Sequence, residues 1–384
     1  MTTIIVSAPI ANKPFNGGNA WTHLSYVLGF RRLGFDVHFV EKIDPAACVD
    51  ESGRSSSIEA SANRQYFRHI SKEFGLEARM SLISPDLRTI EGVAFPELME
   101  IAKSAALLVN ISGHLDVQEI TDSVACRAYI DLDPGFTQFW QAEGIGGFAV
   151  GRHDCYFTVG ENIGAHDCPI PTNGIHWKRT RQPVVLEDWP VCDDAGFRHF
   201  TTIATWRGPY GPVSHGGRTF GSKVQEFRKF VEIPSRTNET FEMALNIHPG
   251  DQSDRDLLCR NSWRLVDPLQ AVPDAFSFRS YIQDSGAEFS VAQQMYVDTN
   301  SGWFSDRTVR YLASGKPVLV QDTGFLRNYP VGRGLLAFSS FEEAAAGVRN
   351  IREHYSEHAV AARQIAETYF DSDRVLGELL SETL

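Results

Sequence analysis

Two series of short apolar runs, one on each side of a proline-rich stretch, set the tightest limit on how this chain can fold. In the first half the runs are Ile4-Ile5-Val6, Val37-His38-Phe39-Val40, Ala105 to Ile111 (AALLVNI), Ala128 to Leu132 (AYIDL) and Tyr156 to Val159 (YFTV). In the second half they are Phe200 to Thr205 (FTTIAT), Phe241 to Ile247, Glu288 to Ala292 and Val318 to Gln321. Runs of this length, buried on both faces, suit strands of a mostly parallel sheet flanked by helices. Helical stretches fall between them: Ala20 to Leu33 with Gly34 as its stop, Ser222 to Val231, Leu257 to Leu265, and Ser305 to Ala313. The strand–helix–strand opening is a βαβ unit. Its turn-rich loop, Pro14 to Asn19, lies where a doubly wound fold places a ligand.

From Cys168 to Pro190 the texture changes to prolines with few periodic apolar positions, which reads as a linker between domains. The Ser-rich stretch Asp50 to Ala62 reads as a mobile loop, and the tail from Phe341 reads as helix with a break near Phe370-Asp371-Ser372. The 384 residues suit two to three domains of about 150 residues each. The expected fold class is therefore α/β: two Rossmann-like domains facing a cleft, with a helical C-terminal tail. The boundaries are 1–175, a linker at 176–195, 196–355, and helices over 356–384.

Charge narrows the partners. With 36 Lys plus Arg against 48 Asp plus Glu, the net charge is −12. An acidic chain is poorly suited to nucleic acid or an anionic membrane, since both demand basic patches. No apolar run reaches the roughly 18 residues of a membrane span, and the start lacks the basic region of a signal peptide. A cytoplasmic location is expected. Cys48, Cys126, Cys155, Cys168, Cys192 and Cys259 form no CxxC pair and read as free thiols; no metal-ligand spacing stands out.

The most specific stretch is Asn300 to Phe325, NSGWFSDRTVRYLASGKPVLVQDTGF. A loop enters a helix at Ser305, the helix ends in Leu312-Ala313-Ser314-Gly315-Lys316-Pro317-Val318, and a strand leads to Asp322-Thr323-Gly324. This segment resembles the C-terminal donor-binding segment of nucleotide-sugar-dependent glycosyltransferases of the GT-B fold, group-1-like. Ser305-Asp306-Arg307 resembles the F-S-D-R variant of one branch. The resemblance spans the chain in architecture but only residues 300–325 in motif. It implies a nucleoside diphosphate sugar as co-substrate and no essential metal. It also implies donor contacts from Ser305, Asp306, Arg307, Asp322, Thr323 and Gly324, basic diphosphate contacts from Arg207 and Lys223, and terminal helices that cross back to the first domain. Arg310 stands where many retaining members carry a ribose-binding glutamate. Local chemistry points the same way: a helix N-terminus offers free N–H groups and a positive dipole end, and Arg307 adds a fork of donors. Ser305 is equally a plain N-cap.

In the first half, His114 and Asp133 follow apolar runs at the carboxyl end, where open α/β sheets bind ligands, and Asp131 lies two residues earlier. A histidine or carboxylate there is a candidate base for an acceptor hydroxyl; Asp131-x-Asp133 is alternatively the metal signature of the GT-A fold. Gly17, Gly18 and Asn19 form a candidate sugar or acceptor loop. Phe278 and Tyr281 are either base-stacking or core aromatics. The expected activity is transfer of a sugar to a hydroxyl or amine of a small acceptor. A nucleotide-sugar epimerase, a phosphorylase and an inactive binding subunit on the same fold stay open, as do the sugar, the base, the acceptor, the inverting or retaining outcome and the oligomeric state.

Overall fold

The computed structural model describes residues 1–145, 150–191, 196–208 and 210–384. Cys192, the end of the expected linker and Pro209 lie outside the described residues. Eight strands build the first sheet: β1 (Thr3–Ser7), β2 (Asp36–Lys42), β3 (Met80–Ile83), β4 (Thr89–Glu91), β5 (Ala105–Ile111), β6 (Arg127–Asp131), β7 (Cys155–Thr158) and β8 (Trp177–Arg179). Their order is β4-β3-β2-β1-β5-β6-β7-β8, and only the β3–β4 pair is antiparallel. The second domain begins with β9 (Phe200–Thr205). A two-stranded hairpin of β10 (Val213–His215) and β11 (Arg218–Phe220) follows, then β12 (Phe241–Asn246), β13 (Trp263–Val266), β14 (Ala287–Ser290), β15 (Val318–Gln321) and β16 (Leu335–Phe338). The second sheet runs β13-β12-β9-β14-β15-β16, all parallel. In each sheet the first strand lies between neighbours reached in opposite directions, and that reversal opens a crevice at the strands' carboxyl ends.

Several elements differ from the sequence reading. The helix expected over Leu257–Leu265 is Gln252–Arg260, and the following residues form β13. Ser262, at φ +69°, ends the helical path, and Trp263 pairs with Phe241 on β12, their rings 5.3 Å apart. The Trp177–Arg179 part of the expected linker extends the first sheet as β8. The polar stretch after Asp50 is folded around that residue, whose carboxylate accepts from the backbone N–H of Ser52 and Arg54.

The domains share a core. One apolar cluster runs from Ile4 and Val6 through Trp21 and Leu24 to Phe278, Val309, Leu312 and Leu376. Its centre is the Gly17–Arg32 helix, which packs against the Ala275–Gln283 helix of the second domain and the Ser372–Ser381 helix of the tail. The Trp21 indole N–H donates to the Ala275 carbonyl at 2.6 Å. Arg32 pairs with Asp373 at 2.9 Å. The other tail helix, Tyr355–Tyr369, lies along the Asp306–Ala313 helix of the second domain. Among the described residues no helix is long and apolar enough to cross a membrane.

The loop after β1 is set by one buried carboxylate. Glu41 accepts from the backbone N–H of Ile10, Ala11 and Asn12 at 2.9, 2.7 and 2.8 Å, and from the Asn12 amide at 2.8 Å. Burial pushes its pKa up to about 7 against the pull of those donors. The loop then delivers Gly17 to the seam between domains. A Cβ there would lie 2.0 Å from the Asp274 carbonyl oxygen and 2.8 Å from Phe278 Cβ. Gly17→Ala is therefore expected to destabilise the protein by about 1–3 kcal/mol, the usual range for overpacking, read as a lowered melting temperature.

Candidate functional site

Two cavities open at the carboxyl ends of the sheets. The larger, about 670 Å³, lies in the second domain against the ends of β9, β12 and β13. Its far wall is apolar, built from Leu245, Ile247, Leu265, Val266 and Val272. The smaller, about 280 Å³, lies between the domains and is polar, with Lys13, His23, His114 and Asp133 from the first domain and Tyr210, Trp303 and Asp306 from the second. Asn16, Gly18, Ile203, Phe278 and Arg307 line both, so the cavities meet at Arg307.

Arg307 is held from three sides. Its Nε–H donates to Glu288 Oε1 at 2.6 Å, one terminal nitrogen to the Ile203 carbonyl at 2.6 Å, and the other to Ser290 Oγ at 2.7 Å. A guanidinium has five N–H donors, so two remain. Lys223 lines the larger cavity and has no carboxylate partner among the described residues. Burial, and then the Arg307 charge, lower its pKa to about 7. Lys223 and Arg307 thus bring two basic side chains together at the junction, and Arg255 and Asp267 also line the larger cavity.

The other expected donor contacts fall elsewhere. Ser305 caps its own helix, accepting from the Arg307 N–H at 3.3 Å, and lines neither cavity. Asp306 reaches the smaller cavity, but its Oδ2 accepts from the Thr22 hydroxyl at 2.7 Å and pairs with Arg310 at 3.3 Å. Ser305 thus caps one N–H of that helix, and the acidic first turn answers the dipole. Asp322, Thr323 and Gly324 line neither cavity. Asp322 accepts from the Gly324 N–H at 2.8 Å, Thr323 accepts from the Gly302 N–H at 2.7 Å, and the Gly324 carbonyl accepts from Asn162 of the first domain at 3.0 Å. With Gly324 at φ +89°, the turn is a strut that holds the 300–304 loop. Arg207 is 65% exposed and turns away to the buried Asp251, donating from Nε at 2.8 Å. Arg310 is 1% exposed and faces the seam, donating to Ser25 Oγ at 3.3 Å with its guanidinium over Trp189. It lines neither cavity. Phe278 lines both cavities, and Tyr281 neither.

In the first domain the two aspartates separate cleanly. Asp131 is buried with its oxygens taken by Thr137, Gln138 and Thr158 at 3.0, 2.8 and 2.7 Å, and it lines neither cavity. It joins β6, β7 and the Phe136–Ala142 helix. Its pKa is pushed up to about 6 by burial. Asp133 faces the smaller cavity; burial raises its pKa, opposed by Lys13, and the Tyr296 hydroxyl donates to it at 3.3 Å. His114 opens into the same cavity. The enclosing walls and then Lys13 lower its pKa to about 4, so it is neutral at pH 7. Gly18 and Asn19 line the cavity, whereas Gly17 serves the domain seam.

Sequence reasoning missed Lys13, His23, Glu288 and Tyr210. Asn19 holds His23, its Oδ1 facing the imidazole Nε2 at 3.2 Å. Tyr210 arrives on the strap that continues into the β10–β11 hairpin. That hairpin docks on the first domain through Phe220 stacked on Phe139, centroids 4.8 Å apart, and His215 against Glu143 at 2.7 Å. Among the described residues no three His, Cys, Asp or Glu side chains converge as a metal site.

No protein-family model matches the chain, and no curated protein matches it in sequence. Solved structures do match over its full length. Anabaena HepE in complex with UDP and glucose is 12% identical, with a TM-score of 0.62 and all of both chains covered. The pneumococcal O-GlcNAc transferase GtfA in complex with UDP and GlcNAc is 10% identical, TM-score 0.56, covering 100% of this chain and 98% of that one. An alpha-glucosyltransferase in complex with UDP is 10% identical, TM-score 0.53, covering 100% and 99%. At these identities the likeness establishes the fold: two Rossmann-like domains facing a cleft in the GT-B arrangement, with a helical C-terminal region.

The Lys223 environment is testable by stability alone. Between pH 7 and its ordinary range near 10.4 the unfolded chain binds a proton that the folded one does not, so this side chain's contribution improves as pH rises across that window. Lys223→Met is expected to raise the melting temperature at pH 6–7, with the gain gone near pH 10.

Proposed function

We propose that this chain is a glycosyltransferase that moves a sugar from a nucleoside diphosphate sugar to an acceptor hydroxyl or amine. The base and ribose lie against the apolar wall of the larger cavity. The diphosphate lies on Lys223 and the two remaining N–H groups of Arg307, and the sugar enters the smaller cavity, where Asp133 and His114 face the acceptor. The observation that carries this reading is that Arg307 lines both cavities. An elongated ligand spanning them has its charged middle at the two cations. The structural relatives that hold UDP share this arrangement of domains. Lys223 and Arg307 meet the diphosphate charge without requiring a metal.

In the transfer step the C1–O bond to the diphosphate breaks and the acceptor oxygen bonds to C1. The leaving oxygen's charge develops beside Lys223 and Arg307, and the acceptor proton passes to Asp133. A raised carboxylate pKa suits that role, since a base works best with a pKa near the working pH. His114, neutral and open to the cavity, orients the acceptor hydroxyl.

A thermal-shift panel of UDP, GDP, TDP, CDP, NAD and NADP, with and without magnesium or manganese, tests the reading. One nucleoside diphosphate is expected to raise the melting temperature without metal, through mass action on the folded state. Lys223→Ala is expected to weaken that binding at least tenfold, in line with about 1.5–3 kcal/mol for a charged hydrogen bond. No shift with any diphosphate, or a shift with NAD or NADP alone, overturns the proposal. Once the donor is known, Asp133→Asn is expected to lower kcat by about 10²–10⁴-fold, the usual contribution of a general base, with donor affinity kept. Asp131→Asn is expected to lower stability instead.

A further inference from the structure

Glu288 is fully buried, yet only one of its carboxylate oxygens is bonded. Oε1 accepts the Arg307 Nε–H at 2.6 Å, and Oε2 has no hydrogen-bond partner among the described residues. A half-satisfied buried carboxylate is a poor stabiliser, because its desolvation outweighs what a single partner returns and an apolar residue of similar size serves a core better. Its placement is informative. Glu288 and Ser290 are two residues apart on β14, so their side chains leave the same face of the strand. They take Arg307 at Nε and at one terminal nitrogen, while the Ile203 carbonyl of β9 takes the other. All three supports stand on the sheet, and together they leave one hydrogen free on each terminal nitrogen of Arg307.

We infer that Glu288 is the positioning residue of the anion site, a buried counter-ion that fixes the Arg307 guanidinium in its ligand-binding orientation before any ligand arrives. The inference rests on the reading of the cavity junction as a diphosphate site. An arginine side chain loses much rotamer freedom when it is fixed on a ligand, and locking it in advance removes that cost from binding. Glu288 also balances charge. Arg307 and Lys223 repel each other across the junction, and the hidden carboxylate offsets one of the two cations without competing for the ligand, since it is closed to the cavity.

The test uses inorganic pyrophosphate, which probes the charged junction whatever the base, titrated calorimetrically into the full chain at pH 7.5. Glu288→Leu and Arg307→Leu are each expected to weaken pyrophosphate binding at least tenfold. The double variant, which buries no unpaired charge, is expected to bind no more weakly than Arg307→Leu alone. Glu288→Gln, whose amide oxygen still accepts the Nε–H but which brings no counter-charge, is expected to bind less tightly than the wild type and at least threefold more tightly than Glu288→Leu, a partial rescue that loss of packing alone does not produce. Should Glu288→Leu fail to fold, Glu288→Asp, with its carboxylate one methylene short of Nε, carries the same tenfold expectation. Wild-type affinity in Glu288→Leu or Glu288→Asp, or losses that multiply in the double variant, overturn the positioning role. Absence of pyrophosphate binding in the wild type overturns the diphosphate reading and this inference with it, an outcome distinct from binding without coupling.

Discussion

Close approach of two helices, one from each domain, governs the geometry on which everything else depends. Gly17 and Gly18 open the first helix with no side chains, and the Ala275–Gln283 helix comes into the space that any side chain would fill. Trp21, one turn on, fixes the depth of that contact by donating to a backbone carbonyl of the second domain. Because the contact is made by backbone and indole rather than by long polar side chains, it defines a distance. The two crevices, each created by the strand order of its own sheet, then face each other at the separation this contact sets. The polar layer beside it, Thr22 to Asp306 and Arg310 to Ser25, fixes the register of the Asp306 helix against the first domain.

Bonding saturation distinguishes residues that build the site from residues available to a ligand. Asp131 and Asp133 are near neighbours in sequence and both have raised pKa values, but Asp131 spends its oxygens on three side-chain donors and the Asp133 backbone N–H while Asp133 faces a cavity. The same contrast separates Arg207, closed onto Asp251, from Lys223, which faces the larger cavity with no carboxylate partner among the described residues. A shifted pKa alone identifies neither role: burial raises both aspartates and lowers Lys223, whereas the Asp251 hydrogen bond raises Arg207.

The strands of both sheets' interiors were legible because a strand buried on both faces leaves an unbroken apolar run, and the Ser305 helix with its small-residue turn was legible because its spacing is local. What stayed hidden depends on residues far away in sequence. Asp322-Thr323-Gly324 reads as a ligand turn until Gly302 and Asn162 are seen to use its groups. Arg207 reads as a free cation until Asp251, folded back by a later helix, takes it. The β13 strand was read as helix because the apolar spacing continues through Ser262, whose positive φ is a backbone decision that composition does not record. Glu288 gave no signal: a single acidic residue at the head of an apolar run looks like a strand end.

The tail helix Ser372–Ser381 covers the outer side of the first helix, where Leu376 and Ser372 press against Gly29 and leave no room for a side chain. The first helix is thus enclosed by segments roughly 250 and 350 residues later in the chain. During synthesis at about 5–20 residues per second, its apolar faces stay open for tens of seconds, long after the strands beside it are available to pair. The first domain is therefore not a module that can be completed and set aside while the rest is made. It reaches its final packing only when translation has passed residue 381, which makes the maturation of the site a late, whole-chain event.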